Sequence, residues 1–75
     1  MSKLPQVSGK NCLKALSKVG FFVKLQKGSH IIVCRNDPFA EVVIPNHKTL
    51  DKGTLRAIIR QANLDVDEFI ELLND

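Results

Sequence analysis

The stretch GFFVKLQKGSHIIVCRNDPFAEVVIP, residues 20–45, decides the fold of this chain. It contains three short runs rich in β-branched and aromatic residues, at residues 21–26, 30–35 and 39–44. Turn-forming residues separate these runs, namely Lys27-Gly28-Ser29 and Asn36-Asp37-Pro38. Connections this short join antiparallel neighbours, so the stretch predicts a three-stranded antiparallel meander.

Amphipathic helices are predicted on both sides of this meander. Ser8 can cap a first helix over about residues 9–19, and Gly20 can adopt the left-handed conformation that ends it. A second helix begins near Lys52, and Asn63 can provide its stop. Its apolar side chains follow the i, i+3, i+4, i+7 spacing of one helical face: Leu55, Ile58, Ile59 and Ala62.

A third, acidic helix is predicted to close the chain. Asp65 and Glu68 have the spacing of a capping box, with Asp in place of the usual Ser or Thr. A chain of 75 residues buries too little surface to divide its core, so residues 1–75 are expected to form one domain. The predicted class is α+β: an α-β-β-β-α sandwich with helices on one face of the sheet and a short C-terminal helix.

Side chains of the second run point alternately to the two faces of the predicted sheet. One face receives Ile31, Val33 and Arg35, and the other receives His30, Ile32 and Cys34. Both faces therefore carry apolar residues, although helices cover only one of them. Two explanations stay open: the uncovered face binds another protein, or the C-terminal helix shields it.

Charged residues are divided unevenly along the chain. The net charge is +3 at pH 7, and all 11 Lys and Arg residues lie at or before Arg60. The tail from Gln61 holds acidic residues and no basic ones. A basic body favours binding to a polyanion such as RNA, through interactions that weaken with salt. Solubility alone would also explain surface lysines, so both interpretations stay open.

The composition disfavours membrane proteins, exported proteins and zinc sites. The longest apolar run, residues 31–34, is far short of the roughly 20 residues that cross a bilayer, and no export signal opens the chain. We therefore expect a cytoplasmic protein. Cys12 and Cys34 belong to no metal-ligand spacing. A zinc site that adds His30 and His47 is the less favoured alternative, so we expect buried, reduced thiols and predict no metal or cofactor.

The turn between the first two runs carries side chains suited to RNA cleavage. Gly28 lets a phosphate approach the backbone, while Ser29 and Lys27 offer a hydroxyl and a positive charge. His30 supplies an imidazole, which exchanges protons near neutral pH and can act on a 2′-hydroxyl. Glycine-serine turns are also common in hairpins without a function. The four residues alone leave a catalytic and a structural interpretation open.

Further candidates follow the third run. His47 and Lys48 come soon after Pro45, and His47 can touch phosphate, assist His30 or order the loop through hydrogen bonds. The N-terminus of the second helix can hold an anion. Basic side chains recur every four residues along that helix, at Lys52, Arg56 and Arg60. Such a stripe suits a phosphate backbone, or it is a solvated face.

In combination these features resemble the HicA family of bacterial and archaeal toxins, nearly from end to end. The parts that carry the resemblance are, in order, Leu4-Pro5, Gly20-Phe21, Gly28-Ser29-His30, Pro45 with His47, and Gly53-Thr54-Leu55. Asn63 stands where the family often has Gly, and Gln26-Lys27 where an arginine-containing stretch is common. Asn63 can still end the helix, because Asn also adopts the left-handed conformation. The absence of the arginine leaves open which cation faces the phosphate.

The resemblance implies a double-stranded-RNA-binding-like fold, in agreement with the element order above. It also implies a ribosome-independent endoribonuclease that cleaves mRNA with His30 as the catalytic residue. The implied partner is a HicB antitoxin that covers the active site. We expect the cleavage to be metal-independent, with RNA bound by Lys27, Gly28, Ser29, His47, Lys48, Lys52 and Arg56.

The chemistry beside His30 is not determined by the sequence. One histidine cannot act as base and acid at the same time, so His47, a lysine or a water molecule must provide the second group. Two other classes of function stay open. The first is a non-catalytic RNA-binding module that uses the same basic surface, and the second is a protein-interaction domain.

Overall fold

Three strands form an antiparallel sheet in chain order, with helices before and after it. The structure is a computed structural model and describes residues 3–74. Its elements are α1 (Gly9–Ser17), β1 (Phe22–Lys27), β2 (His30–Asn36), β3 (Phe39–Pro45), α2 (Lys52–Gln61) and α3 (Val66–Asn74). The sheet order is β1-β2-β3, so β2 is the central strand. The predicted element order and the α+β class are confirmed.

Both hairpin turns are shorter than the sequence suggests. Lys27 still pairs with His30, and Asn36 still pairs with Phe39, so each turn contains two residues instead of three. In the first turn Gly28 has a φ of +58°. A positive φ at the first central position is typical of a type II′ turn, whose twist matches that of the flanking strands.

The first helix ends at Ser17, two residues before the predicted end. The amide of Gly20 donates to the Ser17 carbonyl oxygen, and the amide of Phe21 donates to the Leu16 carbonyl oxygen, each at 3.3 Å. Together with a φ of +98° at Gly20, this is the Schellman arrangement. Because the backbone of Phe21 closes the helix and its side chain is buried, β1 begins only at Phe22.

The other predicted helix boundaries are confirmed. Ser8 Oγ accepts a hydrogen bond from the Asn11 amide at 3.0 Å and caps α1. After α2, Asn63 adopts a φ of +61°. Asp65 and Glu68 exchange side-chain-to-amide bonds of 2.8 and 3.0 Å, the reciprocal pattern of a capping box.

All three helices lie on one side of the sheet. α1 and α2 make their main sheet contacts with β3, and α3 packs against α1 and α2. Phe69 of α3 is fully buried in the shared core. The C-terminal helix therefore belongs to the helical layer, and the possibility that it shields the second sheet face is wrong.

The second sheet face is uncovered and largely apolar. The predicted alternation along β2 is seen at Ile31 and Val33, which are buried, and at His30, which is exposed, whereas Cys34 is buried although it was predicted on the His30 face. We call this surface the open face, and its large apolar residues are Phe22, Leu25, Ile32, Phe39 and Val43. Phe39 is 67% exposed and Val43 is 45% exposed. An exposed ion pair of 2.8 Å between Lys24 and Glu41 crosses the same face.

Candidate active site

The Gly28-Ser29 turn presents His30 at the first position of the central strand. His30 pairs with Lys27 on one side and with Pro45 on the other, so it lies between both edge strands. Its side chain is exposed and shares a face with Ile32. The imidazole is therefore accessible at one corner of the open face, held by backbone pairing on both sides.

The loop after β3 is tied to this turn and to the start of α1. The Asn46 amide donates to the Ser29 carbonyl oxygen at 2.6 Å. The Gly9 amide donates to the His47 carbonyl oxygen at 2.9 Å. Further along the same loop, the Leu50 amide donates to the Val7 carbonyl oxygen at 2.8 Å. Three segments distant in sequence thus meet at one end of the molecule, which we call the site end.

Both histidines belong to the site end. His47 is exposed and lies two residues beyond Pro45, the strand partner of His30. Paired antiparallel residues have Cα atoms about 5 Å apart and successive Cα atoms are about 3.8 Å apart, so the two histidine Cα atoms lie within roughly 13 Å. Two imidazoles on backbones this close can approach the same phosphodiester group.

The basic candidates are distributed unequally around the site end. Lys27 lies directly across from His30, and Lys48 follows His47 in the loop. Lys52 begins α2, whereas Arg56 lies one helical turn further on. Arg60 is a second turn away, about 12 Å from Lys52 along the helix axis, so the structure does not bring it to the site. All five side chains are exposed.

The N-terminus of α2 is already capped by a carboxylate. Asp51 Oδ1 accepts a hydrogen bond from the Thr54 amide at 2.7 Å, and Oδ2 accepts one from the Thr54 hydroxyl at 3.0 Å. These bonds, with a smaller contribution from the Gly53 amide, lower the pKa of Asp51. The suggestion that this helix end holds a phosphate is wrong, because the Asp51 carboxylate occupies the position.

Sequence reasoning missed Asp51, Gly9 and Lys10. An Asp three residues before Thr, just ahead of a helical run, is itself a cap signal that identifies Asp51. Lys10 is exposed and follows Gly9, whose amide binds the His47 carbonyl, so it adds a cation to the site end. No local pattern marks Gly9, because its importance depends on contact with a loop that is distant in the sequence.

One arginine of the basic body is used for structure. The Arg35 guanidinium donates to the carbonyl oxygens of Val19 at 3.3 Å, Ala62 at 3.2 Å and Pro38 at 3.1 Å. It also lies over the Phe21 ring, 4.9 Å from the centroid. The Arg35 guanidinium therefore lies on the helix side of the sheet, where it bonds to the protein backbone.

The two cysteines are free and buried, as expected. Cys12 is fully buried in the core, and burial raises the pKa of its thiol to about 12. His30 and His47 are exposed, so Cys12 does not share a site with them. Among residues 3–74, no three His, Cys, Asp or Glu side chains are grouped in a way that could hold a metal ion.

The fold and the site end define a small α+β domain with an exposed histidine at the first position of its central strand, next to a two-residue hairpin turn. A protein-family model described as the HicA toxin of bacterial toxin-antitoxin systems matches residues 9–64. The chain belongs to the HicA toxin family. No curated protein matches it. In the part of the chain that the structure describes, every helix is too short or too polar to span a bilayer.

Proposed function

We propose that the chain is an endoribonuclease that cleaves mRNA without the ribosome and without a metal ion. The observation that carries this proposal is His30, an exposed imidazole on a tight turn at the basic site end of a toxin-family chain. Lys27 and Ser29 bind the scissile phosphate, and Gly28 leaves room for it. Lys48, Lys52 and Arg56 bind the flanking backbone, since their exposed cations lie in the loop and helix next to the turn.

The proposed reaction is an attack by the 2′-hydroxyl on the neighbouring phosphorus. His30 takes the hydroxyl proton, the 2′-oxygen forms a bond to phosphorus, and the bond from phosphorus to the 5′-oxygen breaks. The products are a 2′,3′-cyclic phosphate and a 5′-hydroxyl, so a second group must give the leaving oxygen a proton. His47 fits this role best because its backbone is tied to the same end, and a lysine or water is the alternative.

Replacement of His30 tests the proposal directly. End-labelled mRNA is incubated with purified wild type, His30→Ala and Asn36→Ala, with and without EDTA. Wild type and Asn36→Ala, altered at the far end of β2, should release fragments with cyclic phosphate ends in either buffer. His30→Ala should lose at least about 100-fold in rate, the usual effect of a lost acid-base group. A folded His30→Ala protein that cleaves at the wild-type rate would show that His30 is not catalytic.

A non-catalytic RNA-binding module is the second candidate, favoured by the same exposed lysines. It predicts affinity for RNA that weakens steeply with salt, because lysines displace counterions from phosphates. It also predicts intact RNA at every protein concentration. EDTA-resistant fragments that disappear in the His30 variant would exclude it.

We further propose that a HicB-type antitoxin neutralises the toxin in the cytoplasm and that it binds the open face. The toxin-antitoxin family supports an antitoxin partner. Phe22, Phe39 and Val43 are about half exposed or more, and an apolar surface whose Glu41 is paired with Lys24 suits a protein better than an RNA backbone. His30 lies at the corner of this face, so a protein bound there also limits access to the imidazole.

A further inference from the structure

Gly9 joins α1 to the loop after β3 by direct backbone contact. It is the first residue of α1, it is buried, and its amide donates to the His47 carbonyl oxygen at 2.9 Å. A Cβ added at Gly9 would lie far inside contact distance of the Pro45 carbonyl oxygen. It would also lie 3.0 Å from the Asn46 Cα. Both neighbours are backbone atoms, so neither can rotate away as a flexible side chain would.

The backbone that Gly9 touches is the same backbone that holds the turn. Pro45 pairs with His30, and the Asn46 amide donates to the Ser29 carbonyl oxygen at 2.6 Å. His47 follows immediately. A displacement of residues 45–47 therefore changes the position of His47 relative to His30.

Gly9 is required for space and not for an unusual backbone angle. It lies in a helix, where intrinsic propensity favours Ala over Gly. Gly53 provides the contrast, since it lies near the start of α2 and a Cβ there would meet only Asp51 Oδ1, at an ordinary 3.4 Å. The two glycines occupy similar helical positions but differ in what surrounds them.

We propose that Gly9 is a positioning residue, which lets the loop after β3 lie against α1 so that His47 is aligned with His30. This inference rests on the proposed ribonuclease function. A side chain at position 9 would push residues 45–47 outward and separate the two imidazoles. Lys27 in β1 and Lys52 in α2, which we propose to bind RNA, lie outside the displaced loop and would keep their places.

The first test compares Gly9→Ala with Gly53→Ala. For mRNA cleavage, Gly9→Ala should lower kcat roughly 10- to 100-fold, since misplacement by about 1 Å has effects of this size. Its KM should stay near the wild-type value. Gly53→Ala should leave both constants near wild type. Wild-type kcat in a folded Gly9→Ala protein would overturn the proposal.

A second control separates positioning from loss of stability. Ser8→Ala removes the bond to the Asn11 amide and weakens α1, but it adds no atom near Pro45. It should lower Tm without lowering kcat measured well below Tm. The proposal would be wrong if Ser8→Ala and Gly9→Ala showed the same fall in kcat for a given fall in Tm. The effect of Gly9→Ala would then come from lost stability.

The decisive readout is the coupling between Gly9 and His47. If Gly9 acts by positioning His47, then Gly9→Ala should cost little further activity in a His47→Ala background. Additive losses, or wild-type activity of His47→Ala alone, would overturn the proposal. If Gly9→Ala does not fold, Asn46→Pro replaces it in this cycle, because proline removes the amide that binds Ser29. An active His30→Ala protein would instead refute the proposed function itself.

Discussion

Cys12 illustrates how the core controls the chemistry of a single residue. Its thiol is fully buried, and burial raises its pKa to about 12 from an ordinary value of 9.0. The thiolate, which is the nucleophile and the metal ligand, is therefore disfavoured in the folded chain. Cys12 acts as a small apolar core residue.

Alkaline pH should weaken the fold through this thiol. Above about pH 9 the unfolded chain releases the Cys12 proton while the folded chain retains it, so unfolding becomes more favourable as pH rises. This group alone should lower the free energy of unfolding by about 1.4 kcal/mol per pH unit, up to about pH 12. Urea titrations across this range measure the slope, and Cys12→Ala should show a shallower one. Equal slopes in the two proteins would contradict the prediction.

Sequence reasoning succeeded for residues whose partners are close in the chain. Ser8, Asn63 and the Asp65–Glu68 pair act within a few residues of themselves, so their local pattern was sufficient. Gly9 could not be found in this way, because the Pro45 backbone that surrounds it is far away in sequence. The catalytic role of His30 is still a prediction, since the position of an imidazole does not measure its reactivity.

At the scale of elements, Arg35 links the C-terminal ends of α1 and α2 to the sheet. From β2 it donates to Val19, just beyond α1, and to Ala62, the residue that ends α2. Carbonyl groups at helix C-termini have no partner within the helix. A single guanidinium therefore satisfies two helix ends and joins three elements.

Arg35→Lys should destabilise the fold although it keeps the charge. One ammonium group cannot reproduce a planar fork that reaches several carbonyl oxygens, so we expect a loss of about 1–3 kcal/mol. Chemical denaturation measures this loss. Arg60→Lys, an exposed position on α2, is the matched control and should change stability by less than about 0.5 kcal/mol. Equal stability of the two variants would mean that the Arg35 bonds contribute nothing.

The element boundaries reveal the limits of reading composition alone. The turn-forming residues at 27 and 36 predicted longer turns, yet both residues pair across their hairpins. Strand pairing gains backbone hydrogen bonds, and these outweigh the weak preference of Lys or Asn for a turn. The three strands themselves were predictable because their apolar runs are short and clearly bounded.

At the scale of the molecule, the sheet divides the protein into a closed side and an exposed side. The helices bury the core against β3, while all six residues of β1 are exposed. The sequence indicated apolar residues on both faces but did not determine where the last helix packs. That choice depends on tertiary contacts between α3 and α1, which no periodicity encodes.

Val43→Ser should weaken antitoxin binding without changing RNA cleavage. Val43 lies in the open face, where loss of an apolar contact should raise Kd about tenfold. Val23→Ser is the matched control: Val23 is 48% exposed against 45% for Val43, but it pairs with Val33 and belongs to the opposite face. Isothermal titration with the cognate antitoxin measures both constants. A stronger effect at Val23 would place the antitoxin on the other side.

The two-residue length of the Gly28-Ser29 turn has a consequence for how this chain can change. Side chains alternate along β2, so a change of turn length that shifted the pairing of β2 by one residue would turn its side chains to the opposite face. Ile31 and Val33 would then point to water, and His30 would point towards the helices. Substitutions within the hairpin thus leave the strand pairing unchanged, whereas a one-residue shift of the pairing would exchange the buried and the exposed side chains of β2. The length of the turn therefore fixes the strand register that keeps His30 exposed and Ile31 and Val33 in the core.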